Sequence, residues 1–197
     1  AQTILALQTI VSRETAPTEP AVVTVGSIHG GTKHNIIPDE VKLQLTLRSY
    51  SDDVRNHTIE AIQRMTRGLA AAAGLPENRY PIVTVQDEFT PATYNSPELT
   101  RRLVGALKGW LGGDKVLAQK PVMGGEDFSE YGRTEPKIPI CMLWLGTIEQ
   151  GVIDAAKRAG KTLPSLHSSE FWPVPEPSIK TGVATLSAAI LELAPKK

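Results

Sequence analysis

The chain has 197 residues, 41% hydrophobic and 21% charged, which suits one large or two small globular domains. Lys+Arg and Asp+Glu are both 21, so net charge is zero, which argues against nucleic acid or an anionic membrane as the main partner. No apolar run reaches the ~20 residues of a membrane span, no signal segment opens the chain, and the single cysteine, Cys141, fits a reducing cytoplasm.

The opening residues AQTILALQTIVSR place Ile4, Leu7 and Val11 at helical spacing. No capping residue and no initiating Met precede them, so the sequence reads as if it starts inside an element. After Pro17 and Pro20, residues 21–28 form a β-branched strand, and residues 30–40 form a turn-rich link. Residues 41–48 alternate strictly: Val41, Leu43, Leu45 and Leu47 face one side, Lys42, Gln44, Thr46 and Arg48 the other. That is an antiparallel strand with one wet face. Ser51 or Asp52 caps a helix to about Ala73, with Ile62, Met65 and Leu69 on its buried face and Gly74 and Pro76 as its stop. Residues 81–89 read as a further strand. The order α-β-β-α-β, with one strand placed in front, is the β-α-β-β-α-β ferredoxin-like sandwich. Residues 1–90 are therefore expected to form an incomplete domain of that kind, cut after its first strand.

Residues 91–197 are expected to form part of an α/β domain. Ser96-Pro97-Glu98 starts a helix lined by Leu99, Leu103, Leu107 and Trp110, and Gly112-Gly113 stop it. GGEDFSEY (124–131) is a glycine turn opening a short helix, and IPICMLWLG (138–146) is a continuous apolar run, fitting a strand buried on both faces. A flexible stretch with Gly151 and Gly160 follows, then a last helix from about Ser178 to Leu193 with Ile179, Val183, Leu186 and Ile190 in its apolar stripe. One strand cannot build a central sheet, so this region also looks incomplete. Trp110, Trp144 and Trp172 read as packing residues, and Cys141 as an inert thiol in an apolar strand.

Three groups could carry chemistry, each with a plain alternative. His167, in Leu166-His167-Ser168-Ser169-Glu170, is a good neutral ligand for zinc, but a site needs three or four ligands and none follows at helical spacing; a polar loop histidine is the alternative. Arg48 can grip a carboxylate through its planar fork, and Asn35 can donate to an oxyanion; a solvated arginine and a turn asparagine are the alternative. Gly125 and Glu126, with Asp127, form either a loop that approaches substrate closely or an acidic first turn serving a helix dipole.

VGSIHGGTKHNIIPDEVKLQLTLRS, PVMGGEDFSEY, PICMLWLGT and LHSSEFWPVPEPSIKTGV, in this order, resemble the aminoacylase/hippurate-hydrolase family of dinuclear zinc or manganese amidohydrolases, over nearly the whole chain. The resemblance implies a ferredoxin-like lid over residues 1–90, through which lids pair as homodimers, and the C-terminal portion of the metal-dependent catalytic domain over residues 91–197. The family's Gly-Gly-x-x-x-Asn-x-Ile-Pro pattern and following arginine fall on Gly30, Gly31, Asn35, Ile37, Pro38 and Arg48, which makes Asn35 and Arg48 substrate-binding residues. Its Gly-x-Glu-Asp-Phe pattern makes Gly125 and Glu126 part of the active-site wall, and its late histidine makes His167 a ligand of one metal. His167-Ser168-Ser169-Glu170-Phe171 departs from the usual His-Ser-Pro-x-Phe. The family's remaining ligands, its general-base glutamate and its oxyanion histidine have no counterpart in this sequence. The expectation is thus a C-terminal fragment of an amidohydrolase acting on N-acyl amino acids or similar small amides. It would retain neither metal ion, no catalytic residue and no activity alone, and the missing N-terminal half could be a partner. Two other readings are a non-catalytic dimerisation or small-carboxylate-binding module and an unrelated two-domain protein with an ACT-like regulatory fold.

Overall fold

The computed structural model describes residues 1–194. The fold is of mixed α/β class, as expected, and the described residues divide into two compact units. The first comprises Ala1–Thr93 and Pro121–Pro136, the second Tyr94–Lys120 and Lys137–Lys197.

The first unit opens with α1 (Gln2–Thr9), which has no side-chain cap, and passes into a π-turn over Ile10–Glu14. Ile10, three residues after Leu7, is buried beside it, while the expected Val11 is exposed. β1 (Ala21–Gly30) and β2 (Val41–Ser49) pair antiparallel from Ala21 opposite Ser49 to Gly30 opposite Val41, with a register shift between Val25 and Ser27. Leu43, Leu45 and Leu47 turn inward, and Arg48 stays on the wet face. α2 (Asp52–Ala72) is capped by Ser51, whose Oγ accepts from the Val54 N–H at 3.2 Å. It ends in a Schellman arrangement: Leu75 N–H donates to the Ala70 carbonyl and Gly74 N–H to Ala71, with Gly74 at φ +73°. The core joins Leu7, Ile10, Val23, Ala61 and Ile62, flanked by Val25, Leu45, Leu47, Met65 and Val83.

Residues 81–89, read as a strand, are not one. Val83 packs on the core, but the described residues hold a single two-stranded sheet, and this segment belongs to no ladder. Alternating side chains supply packing, but a strand also needs a neighbour for its N–H and C=O groups.

The β1–β2 link depends on two glycines. A Cβ on Gly30 would lie 2.7 Å from Val41 Cγ2 and 3.2 Å from the Glu40 carbonyl, and Gly31 sits at φ +80°. Gly30→Ala is expected to cost about 1–3 kcal/mol by overpacking, read as a lowered denaturation midpoint. The exposed Gly68→Ala, which meets nothing within 4 Å in the middle of α2, should instead raise that midpoint by roughly 0.5–1 kcal/mol.

In the second unit α3 (Pro97–Leu111) begins as expected at Ser96, whose Oγ accepts from the Leu99 N–H. Leu103 and Leu107 are buried, while Trp110 is exposed. α3 packs on α5 (Pro175–Leu193), and Arg102 bonds Glu192 through both its carboxylate and its carbonyl. The stretch expected to be flexible contains a helix, α4 (Gln150–Arg158). Ala155, Ala156 and Lys157 are good helix formers between the two glycines that suggested a loop. Residues 138–146 form no sheet among the described residues, and Trp144 and Trp172 are exposed rather than packed, at 58% and 81%. Cys141 is half-buried, with the Thr100 hydroxyl donating to its sulfur at 3.5 Å.

Candidate functional site

The candidate residues fall in both units: Asn35, Arg48, Gly125 and Glu126 in the first, His167 in the second.

Arg48 is placed by the β2 alternation, opposite Val22 of β1 and pointing to solvent. Its Nη1 donates to the carbonyl of Met123, two residues before Gly125. The next turn is fastened by Glu126. Its carboxylate oxygen accepts from the Phe128 N–H at 3.1 Å and caps a 3-10 turn over Asp127–Arg133. Its carbonyl accepts from the hydroxyls of Ser129 at 3.2 Å and Thr93 at 3.3 Å. At the far end Arg133 pairs with Asp52 at the start of α2, at 2.8 Å between half-exposed groups, a contact of at most about 1 kcal/mol. The glycine loop is thus held to the first unit at both ends. Gly124 and Gly125 themselves have nothing within 4 Å of an added Cβ, so their backbone faces open space.

Arg48 and the Gly125–Glu126 segment are therefore brought together, through the Met123 carbonyl. Asn35 is not hydrogen-bonded to either among the described residues. It lies in the exposed β1–β2 link, in a turn closed by the Ile36 N–H on the Lys33 carbonyl at 3.4 Å. Met123, Thr93 and Ser129 were not foreseen. Arg48 and Met123 are 75 positions apart, and nothing local marks a backbone carbonyl as an arginine's partner.

His167 is exposed in a pair of tight turns. Ser168 N–H donates to the Ser165 carbonyl at 2.9 Å, and Phe171 N–H to the Ser168 carbonyl at 3.1 Å. Among the described residues, no three of His, Cys, Asp and Glu gather where they could hold a metal ion. A protein metal site takes three or four such ligands, so the donors present do not fit a metal by themselves. The carboxyl of Asp114, exposed just after α3, is held below its usual range by the hydrogen bond from Lys115, helped by a backbone bond and the ammonium charge.

Residues 1–73 match the family model of the peptidase dimerisation domain, M20_dimer. Thermostable carboxypeptidase 2 of Saccharolobus solfataricus is 31% identical over 95% of this chain and 42% of its own length. An N-acetyldiaminopimelate deacetylase of Leuconostoc mesenteroides is 34% identical over 80% of this chain and 39% of its own. The chain belongs to the M20, hippurate-hydrolase-like family of peptidases and amidohydrolases. Among solved structures, the chain is similar to a protein of methicillin-resistant Staphylococcus aureus assigned as an aminohydrolase. It is 25% identical, with a TM-score of 0.61 over 97% of this chain and 44% of that one. This M20 chain spans about two fifths of the length of the curated relatives it matches. No helix among the described residues is long and apolar enough to cross a membrane.

Proposed function

We propose that this chain is the C-terminal part of a metal-dependent amidohydrolase that cleaves the amide bond of N-acyl amino acids or similar small amides. Residues 1–90 are its lid and homodimerisation domain, and residues 91–197 a portion of its catalytic domain. The observation that carries the reading is the anchoring of Arg48 beside the glycine loop. One nitrogen of the guanidinium holds the Met123 carbonyl, and its remaining N–H donors have no partner among the described residues. A fixed, half-satisfied guanidinium over open glycine backbone suits a carboxylate-bearing substrate. Asn35 is the second substrate-binding residue, Gly125 and Glu126 line the site, and His167 supplies one metal ligand. The remaining ligands of two divalent ions, zinc or manganese, belong to polypeptide outside this chain, as does the general base. A cytoplasmic setting accords with the lone thiol.

The chain alone is accordingly expected to show no turnover of N-acetyl or hippuryl amino acids with zinc or manganese added. Product assay at high protein concentration checks this, and turnover at an enzyme-like rate would refute it.

A second reading, a non-catalytic dimerisation module, is favoured by one observation: the family model that matches residues 1–73 is that of a dimerisation domain. Binding of N-acetyl amino acids that Arg48→Ala leaves unchanged would favour that module over the substrate clamp.

A further inference from the structure

Two consecutive glycines have no side chains with which to order themselves, and ordering costs them more backbone freedom than any other residue. An added Cβ at Gly124 or Gly125 would meet nothing within 4 Å, so these peptides are oriented only by the residues on either side. Upstream, the Met123 carbonyl is held by Arg48. Downstream, the anchor is Glu126.

Glu126 is half-buried and extended, at φ −158° and ψ 119°. Its Oε1 folds back to accept from the Phe128 N–H at 3.1 Å, and its carbonyl accepts from the hydroxyls of Ser129 at 3.2 Å and Thr93 at 3.3 Å. Ser129 is buried, so its hydroxyl has little water to turn to instead. Thr93 reaches in from 33 positions upstream. Short polar side chains are the usual helix N-caps, and a glutamate does the same only by bending a longer chain onto its own backbone. The bond that results needs an acceptor oxygen, not a charge. The next acid differs: Asp127 is exposed, and no hydrogen bond or ion pair holds its side chain among the described residues.

We propose that Glu126 is a positioning residue: its carboxylate and carbonyl fix the Gly124–Gly125 backbone, and its negative charge takes no part in substrate recognition or proton transfer. This rests on the proposed function and gives one residue of that site a role exerted through the loop rather than on the substrate.

Glutamine separates the two roles, because its amide oxygen can accept the Phe128 N–H with the charge gone. Its NH2 then stands in place of Oε2, which has no partner among the described residues. In the chain alone, Glu126→Ala is expected to speed amide exchange across residues 124–128 about tenfold, and Glu126→Gln by less than about threefold. Thr93→Val loosens Glu126 from outside with its charge intact, and should speed the same amides about threefold. Exchange in α2 reports whether each variant is folded; where alanine unfolds the unit, Thr93→Val supplies the loosened loop. In the full-length enzyme that contains this chain, kcat/KM is expected to fall about tenfold in Glu126→Ala, in step with the loss of the ordered loop, and by less than about threefold in Glu126→Gln.

A glutamine variant that hydrolyses as poorly as alanine while its loop exchanges slowly overturns the proposal, since the charge then acts on the substrate or on a proton. Unchanged exchange in Glu126→Ala overturns it as well, and so does a loosened loop with undiminished hydrolysis. A full-length parent that cleaves no N-acyl amino acid removes the proposed function instead. The exchange difference between Glu126→Ala and Glu126→Gln then decides by itself whether the carboxylate holds the loop without its charge.

Discussion

Replacing Ile10 by Ala is expected to destabilise the first unit by about 2–5 kcal/mol, the range for an aliphatic side chain deleted from a packed core. Ile10 is fully buried and shares one cluster with Leu7, Val23, Ala61 and Ile62, so its loss opens a cavity between α1, the sheet and α2. Its backbone also closes the π-turn: the Ile10 carbonyl accepts both the Thr15 N–H at 3.0 Å and the Thr15 hydroxyl at 3.1 Å. The side chain alone changes in the variant, so the turn's own hydrogen bonds survive and the cost reads packing. Against a total stability of about 5–15 kcal/mol, such a loss removes a large share. Urea denaturation compared with Val11→Ala, which truncates the next, exposed side chain, measures it. A difference below about 1 kcal/mol between the two variants would show that this cluster is not the core of the unit.

The same pair shows how far the sequence could be read. The helix, its uncapped start and its apolar face were legible, because they follow from local spacing. The choice of Ile10 over Val11 was not, because both lie within one turn of Leu7 and the packing of α1 on the sheet and α2 decides between them. The β1–β2 hairpin and both capping serines, Ser51 and Ser96, were legible for the same local reason. The strands expected over 81–89 and 138–146 were not realised, because ladder pairing depends on residues elsewhere in space. In α5 the period was right, but a 3.6-residue stripe does not say whether its bulky or its small face is covered. At the candidate site the chain marked Arg48 and the glycine loop separately. Their link through the Met123 carbonyl lay beyond it, since a backbone acceptor has no sequence signature.

Arg48→Ala is expected to have the second large effect, in two readouts that respond to different parts of the side chain. Its Nη1 pins the Met123 carbonyl, so the variant should speed amide exchange across residues 124–128 by about tenfold, equivalent to a hydrogen bond of ~1.4 kcal/mol. The free donors of the fork are the proposed carboxylate clamp. In a full-length enzyme that contains this chain their removal should lower kcat/KM by about 100-fold, ~2.7 kcal/mol, within the range for charge-assisted hydrogen bonds. Arg48→Lys separates the roles. An ammonium can keep one donor on the Met123 carbonyl but cannot also present a planar fork, so loop exchange should recover while most of the loss in kcat/KM remains. Recovery of both together would make Arg48 a positioning residue that acts through the loop. Slow exchange in Arg48→Ala with catalysis still lost would make it a pure substrate contact. Only the split outcome, exchange restored and catalysis not, supports one guanidinium holding the glycine loop and the substrate at once.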